Sequence, residues 1–146
     1  MSRVVITGLG LVSSIGNNVS ETWDNLITGK SGIKKISSFD VSDLPCKIAG
    51  YISHNEKDEY YVDRSKYLET REINRNDRFI QYGLIASKMA VEDAGLMTLD
   101  DKSKLRVGVS VGSGIGGLET IYNGSITLNE KGKYLAIRSN AYCSRN

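Results

Sequence analysis

The feature that most constrains the fold is the segment FIQYGLIASKMAVEDAGL at 79–96. Its length and composition predict a helix, and apolar or small residues fall on nearly every side of that helix: Phe79, Ile80, Tyr82, Leu84, Ile85, Ala86, Met89, Ala90, Val91 and Ala94. A helix that is apolar on most sides must be covered by other elements. The segment therefore predicts a layered fold with a buried helix.

Two short apolar runs predict strands that end in glycine loops. RVVIT at 3–7 leads into Gly8-Leu9-Gly10, and RVGVSV at 106–111 leads into GSGIGG at 112–117. Runs of this kind are typical of buried strands, and a glycine at the tip indicates a close backbone approach or a positive φ. Each loop precedes a predicted helix, so the order of elements indicates an α/β protein.

Two further features organise the chain between these runs. The helix predicted after the first glycine loop starts after Ser20 and stops at Gly29. The helix predicted after the second glycine loop starts near Leu118. Between them, the segment 31–52 predicts short extended pieces around Pro45, the only proline.

The composition is that of an ordinary soluble domain. The chain has 146 residues, of which 40% are hydrophobic and 25% charged, and its net charge is +2. This balance gives no general reason to expect nucleic acid, and no segment approaches the ~20 apolar residues of a membrane span. We expect a cytoplasmic protein. Cys46 and Cys143 stand far apart, so neither a metal site nor a disulfide is expected, and no cofactor is implied.

The loop GSGIGG matches the G-x-G-x-x-G pattern of dinucleotide-binding loops through Gly112, Gly114 and Gly117. That function also requires a βαβ unit with an acidic residue about 20 positions on, at the tip of the next strand. Glu130 is near this distance, but the surrounding SITLNEKGK is a poor strand. The residues favour the alternative that the glycines let the backbone pass close to another wall of the protein.

No catalytic residue is predicted from the residues themselves. His54, the only histidine, lies in the polar run SHNEKDE, which is typical of a solvated surface. Cys143 lies in NAYCSRN, which has neither a helix N-terminus nor a neighbouring base that would activate a thiol.

A basic stripe is the remaining candidate site. Arg71, Arg75 and Arg78 are spaced i, i+4 and i+7, so a continuous helix would present all three on one face to an acidic partner. Acidic residues are interleaved with them, and an ordinary solvated face explains the pattern equally well.

Three segments together resemble the β-ketoacyl-acyl carrier protein synthase II family: 3–33, 74–96 and 106–121. The resemblance covers about residues 2–132 and implies the incomplete N-terminal half of a thiolase-like α/β fold, in which layers of helix and sheet alternate. Members of that family are normally dimeric. They carry an acyl chain on a cysteine and condense it with malonyl-carrier protein in fatty acid biosynthesis, with two histidines assisting.

The same resemblance implies roles for five positions. Gly114, Ile115 and Gly116 correspond to a pocket-lining loop in which Ile115 gates the acyl tunnel and the glycines leave it room to move. Arg71 and Arg75 correspond to positions that dock the acidic acyl carrier protein. A third basic position of that surface is Asn74 here.

The resemblance ends near Gly132. Residues 133–146, KYLAIRSNAYCSRN, replace the segment that leads to the family's cysteine and histidines, as a frameshift would. We therefore expect 1–132 to be the synthase-like segment and 133–146 a divergent tail, with no catalytic residues and no activity alone. The expected partners are acyl carrier protein and either a second copy or a complementing fragment. A non-catalytic carrier-binding module and a dinucleotide-binding domain stay open as alternatives.

Overall fold

The computed structural model describes residues 3–53 and 55–131. The predictions on His54, Cys143 and 133–146 lie outside this range. Its elements in chain order are helix α1 (Val19–Ile27), strands β1 (Ile33–Lys35) and β2 (Ile48–Gly50), a 3-10 turn (Arg64–Lys66), helices α2 (Thr70–Arg75) and α3 (Arg78–Asp93), a 3-10 turn (Leu96–Thr98), and helices α4 (Asp101–Lys104) and α5 (Leu118–Lys131). Strands β1 and β2 pair antiparallel, with Lys34 opposite Ala49.

Helix α1 begins two residues before the predicted start. The Asn18 side chain accepts a hydrogen bond from the Glu21 backbone N–H at 2.9 Å, and the Glu21 carboxylate accepts one from the Asn17 backbone N–H at 2.6 Å. These bonds satisfy backbone donors that a helix N-terminus leaves free. The predicted end is confirmed, because Gly29 follows the helix with φ 73°.

Helix α3 is confirmed as the central helix, and Gly95 with φ 65° follows its end. Ile85 is fully buried and forms the core with Val62 and Leu68. The other predicted core residues of α3 are mostly half-buried. Their partial exposure shows that the described elements cover α3 less completely than its composition predicts.

The first glycine loop packs directly on α3. The sequence predicted either a close backbone approach or a positive φ at this loop. A Cβ on Gly8 would lie 2.5 Å from the carbonyl oxygen of Ala90, and a Cβ on Gly10 would overlap that of Ala86. Neither glycine has a positive φ. The glycines are therefore needed for close approach of two backbones rather than for an unusual backbone conformation.

The two predicted buried strands are not formed. Residues 3–7 and 106–111 form no strand, and Val4 and Val109 are 91% and 88% exposed. A strand is stabilised by hydrogen bonds to a neighbour, and the described residues contain only the β1–β2 sheet. The apolar runs thus have the composition of buried strands without the partner strands that burial requires.

None of the helices within 3–53 and 55–131 combines the length and the apolar character needed to cross a lipid bilayer.

Candidate functional site

Helix α2 places Arg71 and Arg75 on one face, one turn apart. Its start is held by a capping box, in which Glu69 N–H donates to the Glu72 carboxylate at 2.9 Å and the Glu69 carboxylate accepts from the Glu72 backbone. Arg71 is exposed and Arg75 is half-buried. Within the described part of the chain, neither guanidinium lies within ion-pair distance of a carboxylate. Both charges are available to a partner.

Arg78 does not share this face, which corrects the prediction of one continuous stripe. Helix α2 stops at Arg75, Asn76 and Asp77 have extended backbones, and Arg78 begins α3. Asn and Asp are less favourable in helix interiors than most residues and are common at helix ends. The extended backbones of Asn76 and Asp77 interrupt the helix that the arginine spacing alone suggests.

Gln81 fixes α2 against α3. Its side chain is buried, accepts a hydrogen bond from Arg64 Nη1 at 2.8 Å, and donates to the carbonyl oxygens of Ile73 at 2.9 Å and Asn76 at 2.6 Å. These carbonyls lie at the end of α2, where a helix leaves acceptors unpaired. Gln81 was not predicted as a structural residue, although a single amide among apolar neighbours was a usable signal.

The second glycine loop is open on one side and anchored on the other. A Cβ on Gly114 would meet nothing within 4 Å, and the Ile115 side chain is 77% exposed. A Cβ on Gly116 would overlap the Phe79 ring, and Gly117 has φ 68°. Only Gly114 thus leaves free space beside Ile115, because Gly116 is packed against α3.

The loop does not have the surroundings of a dinucleotide site. No strand precedes it at 107–111, and Glu130, the acidic residue that the dinucleotide interpretation needs at a strand tip, lies in α5. A Rossmann unit requires a strand on each side of the helix. This interpretation is therefore wrong.

The described residues hold no other group with the features of a reactive centre. No three metal-ligating side chains come together within 3–53 and 55–131. The Cys46 thiol is exposed and donates to the Ile48 carbonyl oxygen at 3.3 Å, away from any helix N-terminus. The surface of α2 and the loop 112–117 are thus the two candidate functional sites.

Comparison with known proteins identifies relatives along most of the chain. The family described as Beta-ketoacyl synthase, N-terminal domain, matches residues 1–145. Two relatives named 3-oxoacyl-[acyl-carrier-protein] synthase 2, from Rhizobium meliloti (strain 1021) and Staphylococcus aureus (strain N315), are 40% and 42% identical over 90% and 89% of this chain. The matched parts are 31% and 30% of those proteins, so the chain spans less than a third of their length.

A solved structure supports the same relationship. The ishigamide ketosynthase/chain length factor superposes with a TM-score of 0.67 at 27% identity, over 90% of this chain and 31% of its own length. The helices and small sheet described above are therefore part of a thiolase-like α/β fold, as the sequence predicts.

Proposed function

The chain belongs to the β-ketoacyl synthase family through its N-terminal domain, and from this premise we propose that it is the N-terminal portion of a carrier-protein-dependent condensing enzyme of fatty acid biosynthesis. In this proposal Arg71 and Arg75 dock acyl carrier protein, and Gly114, Ile115 and Gly116 contact the acyl chain. The chain does not catalyse the condensation alone.

The observation that carries the docking proposal is the pair of arginines on α2, neither of which forms an ion pair with another described residue. Two positive charges one turn apart on a short helix attract an acidic surface and orient it. The capping box and Gln81 hold this helix in place, so docking requires little ordering of the backbone. Asn74, on the same helix, contributes no charge, and two arginines must therefore supply the attraction.

The proposal for the loop depends on its shape and its apolar side chain. Ile115 is exposed, and the neighbouring Gly114 leaves space in which this side chain can change position. An acyl chain is recognised by apolar contact, since it presents no hydrogen-bonding group along its length. A mobile branched side chain beside a fixed Gly116 is suited to admit or block such a chain.

The proposal that the isolated chain is inactive rests on its residue inventory. The condensation implied by the family uses a thiolate nucleophile and two histidines, and the whole sequence contains a single histidine, His54. Cys46 lies two residues before β2 rather than at the start of a helix, which is a common place for an activated thiol. A non-catalytic carrier-binding module is the alternative function.

We also propose that a further polypeptide completes the fold. The exposed apolar segments 3–7 and 106–111 have the composition of strands but pair with no strand among the described residues. The relatives are about three times as long as their matched part. A polypeptide equivalent to the remaining part of such a relative is the partner that fits these segments, as its strands would bury them. A second copy of this chain is the competing partner.

Titration calorimetry with acyl carrier protein tests the docking proposal. Binding should weaken steeply between about 50 mM and about 300 mM salt, because exposed charges are screened. Arg75→Glu should weaken it about tenfold or more, whereas Lys102→Glu on α4, with the same change in charge, should not. Equal effects of the two variants, or binding that does not depend on salt, would contradict the proposed surface.

A condensation assay separates the two candidate functions. The chain is co-expressed with the segment of the Rhizobium meliloti relative that lies beyond the matched region and is supplied with acyl and malonyl carrier protein. Condensation by the mixture and none by the chain alone supports the split enzyme. Carrier binding without condensation in a stable mixed complex supports the binding module, and condensation by the chain alone refutes both.

A further inference from the structure

We propose that Asp77 is a positioning residue that couples carrier-protein docking on α2 to the Ile115 loop. The inference rests on the proposed function of these two sites. It concerns the junction between them, where Asp77 lies immediately before α3 and its side chain contacts the start of α5.

The Asp77 carboxylate is directed away from its own helix. Asp77 occupies the residue before α3, where an aspartate commonly accepts a hydrogen bond from the first turn, but its side chain makes no such bond. Instead Oδ1 accepts a hydrogen bond from the Thr120 hydroxyl, and Oδ2 lies so close to Gly117 that it would clash with a Cβ there. Asp77 therefore binds the first turn of α5, where a negative charge is also favoured by the helix dipole.

The backbone of Asp77 is tied to the docking helix on its other side. Asn76 N–H donates to the Glu72 carbonyl at 3.1 Å, and Gln81 donates through its backbone to Asp77 at 3.1 Å and through its side chain to Asn76 at 2.6 Å. A change in the orientation of α2 therefore moves Asn76 and the adjoining Asp77 together.

The loop is fixed to this junction at one end only. Gly116 and Gly117 lie against Phe79 and Asp77, whereas Gly112 and Gly114 have open surroundings. A displacement of Asp77 therefore moves the fixed end of the loop, and Ile115 is the next side chain along. Coupling of two sites is reciprocal, so occupancy of the acyl pocket should alter carrier affinity by the same factor.

Hydrogen exchange of the full chain, with and without acyl carrier protein, tests the coupling. In the free protein, Asp77→Ala and Thr120→Val should each accelerate exchange at 112–122 about fivefold, as expected for one lost side-chain hydrogen bond. Asp93→Ala is the matched control, because that carboxylate also lies on α3 but accepts from Leu9 N–H at 2.8 Å. It should leave 112–122 unchanged.

Carrier protein should change the exchange of 112–122 in the unsubstituted chain. This response should be lost in Asp77→Ala while the Kd for carrier protein stays within about twofold, a combination that a merely structural role would not produce. A loop that does not respond to bound carrier protein, or the same response with Asp77→Ala, overturns the proposal.

If carrier protein does not bind and the docking proposal fails, hydrogen exchange of further variants of the free chain still tests the coupling. Gln81→Met releases α2 from α3 at nearly constant volume and should accelerate exchange at 112–122. It should add nothing in the Asp77→Ala background. Additive effects of the two substitutions on exchange would show that α2 and the loop are independent. If the Asp77 or Gln81 variants fail to fold, Thr120→Val decides the question. Unchanged exchange at 112–122 in Thr120→Val would also show that α2 and the loop are independent.

Discussion

Gly10 lies against α3 and Gly83 lies within it, and substitution by alanine should have opposite effects on stability at the two positions. A Cβ on Gly10 would overlap the Ala86 carbonyl, which belongs to the helix backbone and cannot move aside, so Gly10→Ala should cost about 1–3 kcal/mol. A Cβ on Gly83 would meet nothing within 4 Å, and in a helix Gly83→Ala should stabilise by about 0.5–1 kcal/mol. Urea unfolding measures both changes, and the same sign for the two would refute the described packing.

Gln81→Met should destabilise the chain by about 1–3 kcal/mol, although it keeps the volume of the side chain. The substitution leaves the Arg64 guanidinium and the carbonyl oxygens of Ile73 and Asn76 without their partner. A double-mutant cycle with Arg64→Met measures the interaction free energy between the side chains of Gln81 and Arg64. Because the two side chains are bonded, the combined loss should be smaller than the sum of the single losses, and strict additivity would contradict the network.

At the scale of elements, the sequence correctly predicted those features that depend on residues close together in the chain. The apolar residues of α3 and the stop of α1 at Gly29 depend on the residues of each helix, although α3 ends at Asp93 rather than at the predicted Leu96. The prediction of strands at 3–7 and 106–111 was wrong, because the pairing of a strand depends on neighbours far along the chain. The Arg71 and Arg75 face was predicted by spacing, but the break that excludes Arg78 is made by the turn-forming Asn76-Asp77 pair, which spacing does not register.

The anchoring of β1 should depend on pH. The buried Ser53 hydroxyl donates to Asp58, and Lys34 on β1 lies 3.4 Å from the same carboxylate. The Ser53 hydrogen bond, helped by Lys34, holds the pKa of Asp58 below its ordinary 3.8. This contribution to the free energy of unfolding is therefore fully present above pH 3.8 and is lost as pH falls through the lower pKa of the folded state.

Acid unfolding of Asp58→Asn checks this expectation. The variant should be less stable at neutral pH and should lose stability less steeply below about pH 4. Asp43→Asn is the control, because among the described residues the Asp43 carboxylate makes no hydrogen bond or ion pair. Equal acid sensitivity of Asp58→Asn and the unsubstituted chain would show that Asp58 does not anchor the strand.

The whole molecule has a small core beneath a large apolar surface. In the described part of the chain four hydrophobic side chains are buried, whereas 24 large ones are exposed. Exposed apolar segments with strand composition pair readily with other chains, and large apolar patches are rare on monomeric proteins. The chain alone should therefore self-associate and bind a hydrophobic dye, as measured by light scattering and fluorescence.

Substitutions on the surface and in the core should separate association from folding. Lysine at Val109 is expected to reduce self-association without lowering the melting temperature, because this side chain is 88% exposed and packs against little. Ile85→Ala removes a fully buried side chain of the core and should cost about 2–5 kcal/mol. A lower melting temperature for Val109→Lys would mean that 107–111 is covered within the folded chain. Unchanged association would mean that a different surface brings the copies together.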